Sequence, residues 1–494
     1  MRHLLLALLL ALTTGLMSQD YKTEYDKITA AQKDGKPRTA LTAAEELFAK
    51  AASANDEDQM VKALAWRASF TGQIEEDGLD AAIKLLQQEL AANKDREVVA
   101  PVLHYMLGAS YYRFAQQNSW RLRNATATTN DALPANERPL ADWNLQQLAE
   151  AADQHLFQAL ELAEARRTEL AAIPAIITGD KERYAEKPTL YDLLAREAFT
   201  MLGSPLLSVA DPEVPNPEQY LGSAASFVQL PLEMDSSTGT YRKLKILQSL
   251  TNFHLGLPTP ALLAVNVMRL QYVRQFGIAD AAYAEAVGRM HERFATMPGG
   301  DYLLVLQAEV FAKGGAEDMG EKPKAKALQL LDRVKDKSAF VANRAEALRR
   351  QIMAKSLQTQ VQTAYGKTDN LLISVNYRNI ERVYHRLYAA PKLAPSDDFS
   401  RWNLKEEALK KLLAKRPLER ANFRLAENDD YESHQTETWL KQKPAGRYYL
   451  VSSDNKDFDQ KKGMVAIADF QVSDLAVMRY FDNDQYFFEV VDRT

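Results

Sequence analysis

The spacing of apolar residues changes once along this 494-residue chain, near Ser356. Before that position apolar residues recur about every 3.6 residues, as on one face of a helix, and after it they alternate with polar residues. Apolar residues with the helical period would be spread over both faces of a strand, and strictly alternating apolar residues would be spread around a helix. The sequence therefore predicts a multidomain chain, helical first and β-stranded afterwards.

The region 19–201 consists of short amphipathic stripes that predict helical hairpins. The first two stripes are Tyr21, Tyr25, Ile28 and Ala31, and then Leu41, Ala44, Phe48 and Ala51. Successive stripes begin about every 20 residues, so a helix pair recurs at roughly the period of tetratricopeptide-type repeats. The strict consensus of those repeats is absent. We predict tetratricopeptide-like hairpins without fixing their number.

Two further regions complete the predicted helical part. The segment 202–240 carries four prolines near its start and predicts a loop. A second helical block is expected over 241–355, in which Tyr302–Lys313 and Pro323–Val334 form a helix pair.

The region 356–472 is predicted to be a β-sandwich, because short alternating runs are joined by turn signals. Val383, His385 and Leu387 share one face of such a run. A charged helical insertion is expected near 404–416. The segment 473–494 looks like the first two strands of another sandwich, and since two strands cannot bury a core, we expect the natural protein to continue.

The N-terminus predicts export. Residues 1–18 combine a basic start at Arg2, an apolar run and a small polar end, which are the three zones of a signal peptide. The absence of cysteine excludes disulfides, thiolate metal sites and a lipid-anchoring cysteine. We predict a periplasmic protein without a membrane span, and a net charge of −5 gives no reason to expect nucleic acid as a partner.

No motif for catalysis or cofactor binding appears in the sequence. Phosphate-binding glycine loops, the nucleophile elbow and the zinc helix are all missing, since His291-Glu292 is followed by Ala295 where a second histidine would be needed. His104 and His385 are expected to be structural. The carboxylate pairs are expected to be solvated surface charge: Glu75-Glu76, Asp397-Asp398 and Asp429-Asp430. We predict no catalytic, cofactor-binding or metal-binding residue and no enzyme activity.

The aromatic cluster Tyr105, Tyr111, Tyr112 and Phe114 has two interpretations. It could line a carbohydrate groove, but helix-packing core is the preferred interpretation.

Several segments together resemble the N-terminal region of alpha-2-macroglobulin-like proteins of Bacteroidetes-type bacteria. They are YYRFAQQNSWR at 111–121, KPTLYDLLA at 187–195, VNYRNI at 375–380 with Val383-Tyr384, Asp430-Tyr431 with His434 and Thr436, AGRYYLV at 445–451, FQVSDLA at 470–476 and VVDRT at 490–494. The resemblance rests on the combination and order of these segments. The resemblance implies that the sandwich is of the macroglobulin type, which is fibronectin III-like, and that 473–494 opens a second one.

The family resemblance also implies a function. Members of the family are protease traps in which cleavage of a bait segment releases stored strain, and many also carry a Cys–Gln thioester. This chain has no cysteine and no recognisable bait segment, so both would lie beyond Thr494. Proteases would then be partners of the missing C-terminal part, and periplasmic or envelope proteins would be partners of the helical region. The alternatives are a stand-alone helical-repeat module that binds protein or glycan, and a helical glycan-processing enzyme.

Overall fold

The computed structural model describes residues 21–123, 139–176, 185–202, 214–313, 320–390, 406–426, 429–482 and 485–492. The predicted signal peptide 1–18, the carboxylate pair Asp397-Asp398 and most of the proline-rich start of 202–240 lie outside these residues. The chain divides into two compact units, 1–300 and 301–494, so the helical block predicted over 241–355 contributes helices to both.

The first unit is helical. Its helices are α1 (Lys22–Lys33), α2 (Pro37–Ser53), α3 (Glu57–Ile74), α4 (Gly78–Asn93), α5 (Val99–Gln117), α6 (Ser119–Arg123), α7 (Leu145–Arg166), α8 (Leu190–Met201), α9 (Ala224–Gln229), α10 (Gly239–Phe253), α11 (Pro260–Val273) and α12 (Asp280–Phe294). Each of α1 to α5 packs against the next one along the chain, and α7 packs against α5. The predicted stripes form the core between these helices, as Ile28 and Ala44 illustrate by being fully buried.

Local sequence explains where these helices begin. Pro37 takes the first position of α2, where its missing N–H needs no partner. The Asp56 carboxylate caps α3 by accepting the backbone N–H of Gln59 at 3.2 Å. At the turn between α3 and α4, where Asp77 gives α4 no side-chain cap, Gly72 near the end of α3 and Gly78 at the start of α4 bring the two backbones into contact.

The second unit combines helices with β-sheets. Its helices are α13 (Tyr302–Ala312), α14 (Pro323–Asp332), α15 (Ala339–Met353) and α16 (Glu406–Leu413). Its strands are β1 (Ser356–Val361), β2 (Ala364–Tyr365), β3 (Leu371–Arg378), β4 (Arg382–Ala389), β5 (Glu419–Arg424), β6 (His434–Leu440), β7 (Gly446–Ser453), β8 (Val465–Val472), β9 (Leu475–Asp482) and β10 (Gln485–Asp492). The order predicted from the sequence, helices first and then β-sheets, is confirmed.

Two of the sheets face each other across a common core. A three-stranded sheet has the order β1-β3-β6 and a five-stranded sheet the order β2-β8-β7-β4-β5. Val375 from the first and Leu450 from the second are both fully buried in the same cluster. The other side of the five-stranded sheet is covered by α16, whose Leu409 and Leu412 pack near Tyr388. Both faces of the five-stranded sheet are therefore buried there, which explains the unbroken buried run along β7.

The turn between β3 and β4 binds the end of α15. Asn379 adopts a left-handed conformation (φ 55°), and its side-chain amide donates to the carbonyls of Ile352 at 2.9 Å and Ala354 at 3.1 Å. The turn makes a third hydrogen bond, in which Nε of Arg378 also donates to the Ala354 carbonyl, at 3.0 Å. These donors satisfy carbonyls that a helix end leaves without partners, so the turn fixes how the helical part of this unit joins its sheets.

Candidate functional site

The clearest polar cluster of the helical unit lies at the start of α8. Thr189 caps this helix by accepting the backbone N–H of Asp192, and the Asp192 carboxylate in turn accepts from the backbone N–H of Thr189 at 3.1 Å and from its hydroxyl at 2.8 Å. This reciprocal arrangement is a capping box. Asp192 is fully buried, and its second carboxylate oxygen lies 2.6 Å from Nε2 of His254 at the end of α10. The cluster therefore connects two helices that are distant in sequence.

The Asp192–His254 pair has the composition of two members of a catalytic triad but not its arrangement. In a triad the carboxylate binds one ring nitrogen and leaves Nε2 free to activate a nucleophile. Here Nε2 is the atom that contacts Asp192. The nearby hydroxyl of Ser249 accepts from Tyr191 at 2.7 Å and lies 3.4 Å from the Glu164 carboxylate, so it already has structural partners. The geometry supports a structural role for the cluster.

A second histidine pair joins α5 and α7. His104 and His155 are both half-buried, and their Nδ1 atoms lie 2.9 Å apart. Their ring centroids are 5.1 Å apart, which places the two nitrogens between the rings and facing each other. Metal-bound imidazole nitrogens would instead converge on a third point about 2.0–2.1 Å from each of them. The geometry is that of an N–H···N hydrogen bond, and it agrees with the structural role predicted for His104.

The third notable histidine, His385, lies inside the sandwich. It is 2% exposed, and its Nδ1 lies 2.8 Å from the hydroxyl of Ser452, which also accepts from Thr359 at 2.8 Å. Burial lowers the pKa of His385 to about 4, so the ring is neutral near pH 7. Its place between Val383 and Leu387 on an inward face is the one that the alternation predicted.

The other side chains that the sequence analysis considered for a functional role lie in different places. Asp430 contacts Nε2 of His434 at 2.9 Å, and Asp429 forms an ion pair with Lys322 at 2.5 Å, so these two carboxylates bind different partners. The aromatic side chains Tyr105, Tyr111 and Tyr112 are buried, which leaves them in the helix core. His291 is also buried, on α12.

Within the described parts of the chain, no group of three or more His, Asp or Glu side chains could hold a metal ion. No described helix is long and apolar enough to cross a membrane. A depression between α13 and α15 is lined by Glu309, Arg344 and Leu348 among others, and the Arg344–Glu309 ion pair at 2.8 Å joins its two sides.

Among the described residues, the largest group of exposed apolar side chains lies on the β9–β10 hairpin, which forms a sheet of its own. Alternation along the strands and the register of the pairs place six apolar residues on one face, which we call the hairpin's first face: Leu475, Val477, Phe481, Tyr486, Phe488 and Val490. Phe488 is 66% exposed and Val490 is 62% exposed. The opposite face carries Met478 and the stacked rings of Tyr480 and Phe487. Apolar patches of this kind are more extensive than the single exposed apolar residues normal on a protein surface.

No known protein-family model matches this sequence, and no curated protein shows significant similarity to it.

Proposed function

We propose that this chain is the N-terminal, non-enzymatic part of an exported alpha-2-macroglobulin-like protease inhibitor. The observation that carries the proposal is the β9–β10 hairpin, which begins at Leu475 directly after the sandwich and exposes apolar side chains on both faces. Two strands do not form a stable core by themselves. Such a hairpin suits the opening strands of a further macroglobulin-type sandwich, the place that the resemblance gives to 473–494.

The root of the hairpin supports this proposal, because it is fixed to the sandwich. The ammonium group of Lys367 lies 2.5 Å from the Asp474 carboxylate, and the Lys367 backbone N–H donates to the same carboxylate at 3.0 Å. The backbone N–H of Ser473 also donates to the Tyr365 carbonyl at 2.8 Å. These contacts hold the start of the hairpin, while its apolar faces are left for a partner. They suit a defined junction between consecutive β-domains.

In this proposal the helical unit is a scaffold of tetratricopeptide-like hairpins. Stacked helical hairpins offer an extended surface for protein partners, here periplasmic or envelope proteins. A stand-alone binding module is the alternative function, for which a protein is the better candidate ligand than a glycan because three of the four aromatic side chains that could have lined a glycan groove, Tyr105, Tyr111 and Tyr112, are buried.

A protease-trap assay tests the function. The product of the complete reading frame that contains this chain is expected to block a protease from large protein substrates while leaving a small peptide substrate accessible, because a trap encloses the protease without occupying its active site. The 494-residue chain alone is the matched control and is expected to block neither substrate. A stop codon directly after Thr494 would contradict the inhibitor proposal and favour the binding module.

The hairpin can be tested separately with Phe488→Glu and Val490→Glu. Both side chains are exposed, so we expect the free energy of unfolding to change by no more than the roughly 0.5 kcal/mol typical of surface substitutions, with little change in the melting temperature. Binding to the polypeptide encoded downstream of this chain is expected to be lost, because a carboxylate would be buried in the contact.

The matched control for these variants is Gln485→Glu, which adds the same charge to the hairpin away from its first face. Unchanged binding in Phe488→Glu and Val490→Glu would show that this face is not the contact. A large drop in the melting temperature would show that the hairpin already packs within the chain.

A further inference from the structure

The contact between His104 and His155 depends on a close approach of two helices. At Gly108, one turn after His104 on α5, an added Cβ would lie 2.8 Å from the Leu156 side chain and 3.0 Å from the Ala152 carbonyl of α7. Only glycine permits this approach, which sets the two helices at the distance that brings the imidazoles together. The hydrogen bond between the rings is therefore part of the α5–α7 packing.

The number of protons on the two rings decides whether this contact can exist. Two facing Nδ1 atoms need one N–H and one lone pair, which a pair of neutral imidazoles can supply. A first added proton can bind a nitrogen that is not in the contact, and the N–H···N bond survives. A second proton places N–H against N–H across the 2.9 Å contact and makes both neighbouring rings positively charged. The contact is thus stable with up to one added proton and repulsive with two.

We propose that the His104–His155 contact is an acid-released latch that fastens α7 to α5. When at most one proton is added, the bond holds the two helices together. At lower pH the doubly protonated pair pushes them apart.

The surroundings of the pair leave this repulsion without compensation. Burial lowers the pKa of His104. Burial also lowers the pKa of His155, with a smaller contribution from the charge of His104, to about 4. Acids on these and neighbouring helices act on other groups: Asp153 of α7 pairs with Arg242 at 2.6 Å, and Asp80 of α4 and Glu197 of α8 act on tyrosine side chains of α5. Among the described residues, no carboxylate contributes to the pKa of either histidine.

An aromatic stack connects the latch to the N-terminus of α7. The ring of Tyr111 lies between His155, at 5.8 Å, and Trp143, at 5.5 Å, in near-parallel orientation with both. Trp143 directly precedes Asn144, whose side chain caps α7. Release of the histidines is therefore expected to loosen this end of α7 and to change the environment of the Trp143 indole.

The direction of the pH effect follows from linkage. An unfolded or released histidine has a pKa near 6.5, and the folded value for His155 is lower, so the released state binds more protons at mildly acidic pH. The stabilisation is complete above about pH 6.5 and is lost as the pH falls from there toward about 4. The His155 shift by itself makes the opening equilibrium of α7 about twenty-fold larger at pH 5 than at pH 7. Asp153 of α7, whose pKa burial raises to about 6, acts in the opposite direction, so the histidine effect is read as the difference between the wild type and a variant without His155.

Hydrogen exchange of the untagged full chain tests the proposal, with protection factors of the α7 amides measured between about pH 7 and pH 5. Over this range the wild type is expected to lose about twenty-fold more protection than a variant without His155. His155→Gln, which keeps a neutral hydrogen-bonding side chain, is expected to lose most of that pH dependence. His434→Gln is the matched control, since His434 lies in the other unit, and α7 should behave there as in the wild type.

Two results would overturn the latch. One is equal pH dependence of α7 protection in the wild type and in His155→Gln. The other is an NMR titration of the wild-type histidines in which His104 and His155 titrate independently near pH 6.5, a measurement that needs no variant to fold.

Discussion

Replacing Asp192 by alanine is expected to lower the free energy of unfolding of the helical unit by about 3–5 kcal/mol. The carboxylate is fully buried and accepts from the backbone and side chain of Thr189 and from the imidazole of His254. Alanine removes the acceptor and leaves these donors in the interior, where each unpaired group costs about 1–3 kcal/mol. The measurement is the urea unfolding midpoint of the full chain, together with exchange protection of the α8 amides.

Asp80→Ala is a matched control for this prediction. Asp80 is also the third residue of its helix, α4, but it forms an i,i+4 ion pair at 2.7 Å with the mostly exposed Lys84. Exposed pairs of this kind contribute a few tenths of a kcal/mol, so Asp80→Ala should leave the midpoint nearly unchanged. Asp192→Asn separates charge from shape, because an amide has one acceptor oxygen where the carboxylate uses two. The unfolding midpoint of Asp192→Asn is expected to lie between those of the wild type and Asp192→Ala. Equal midpoints for Asp192→Ala and Asp80→Ala would contradict the role of the cluster.

Periodic patterns in the sequence were sufficient to predict the order of the architecture. The change of period at Ser356 coincides with the first residue of β1, and α15 ends three residues earlier, at Met353. Val383 and Leu387 were placed on one face of a strand and are fully buried. Both results depend only on local alternation, which the chain carries whatever packs against it.

Contacts between distant segments could not be predicted in the same way. Thr189 and Asp192 have the spacing of a capping box, which signals a helix start, but nothing in that spacing indicates His254, 62 positions away. His155 carried no signal as the partner of His104, since 51 residues separate them. The second face of β4 also gave no sign of being covered, because its cover, α16, is a separate segment. Such contacts are set by tertiary packing, on which a single sequence gives little information.

The glycines illustrate the same limit. They lead to a prediction in which replacing glycine by alanine lowers stability, which is opposite to the usual effect. Replacing a helical glycine by alanine normally stabilises a protein by about 0.4–1 kcal/mol, because alanine restricts the unfolded chain. Gly78 begins α4 with a backbone that alanine could adopt, so sequence alone predicts a gain. In the structure an added Cβ would lie 2.1 Å from the Gly72 carbonyl oxygen and 2.7 Å from its carbon. Those atoms are backbone at the end of α3 and cannot move aside as a flexible side chain would.

We therefore expect Gly78→Ala to destabilise the helical unit by about 1–3 kcal/mol, the cost of forcing extra volume into a packed contact. Gly222→Ala is the matched control, because φ is −58° there and the nearest atom, the Gln219 carbonyl oxygen, lies at an ordinary 3.4 Å. Gly72→Ala should fall between them, since its Cβ would lie 3.3 Å from the Gly78 carbonyl oxygen. Urea unfolding midpoints in the order Gly78→Ala, Gly72→Ala and Gly222→Ala, from lowest to highest, would establish that α3 and α4 meet through these two glycines. A Gly78→Ala variant as stable as Gly222→Ala would show that the two backbones can separate without cost.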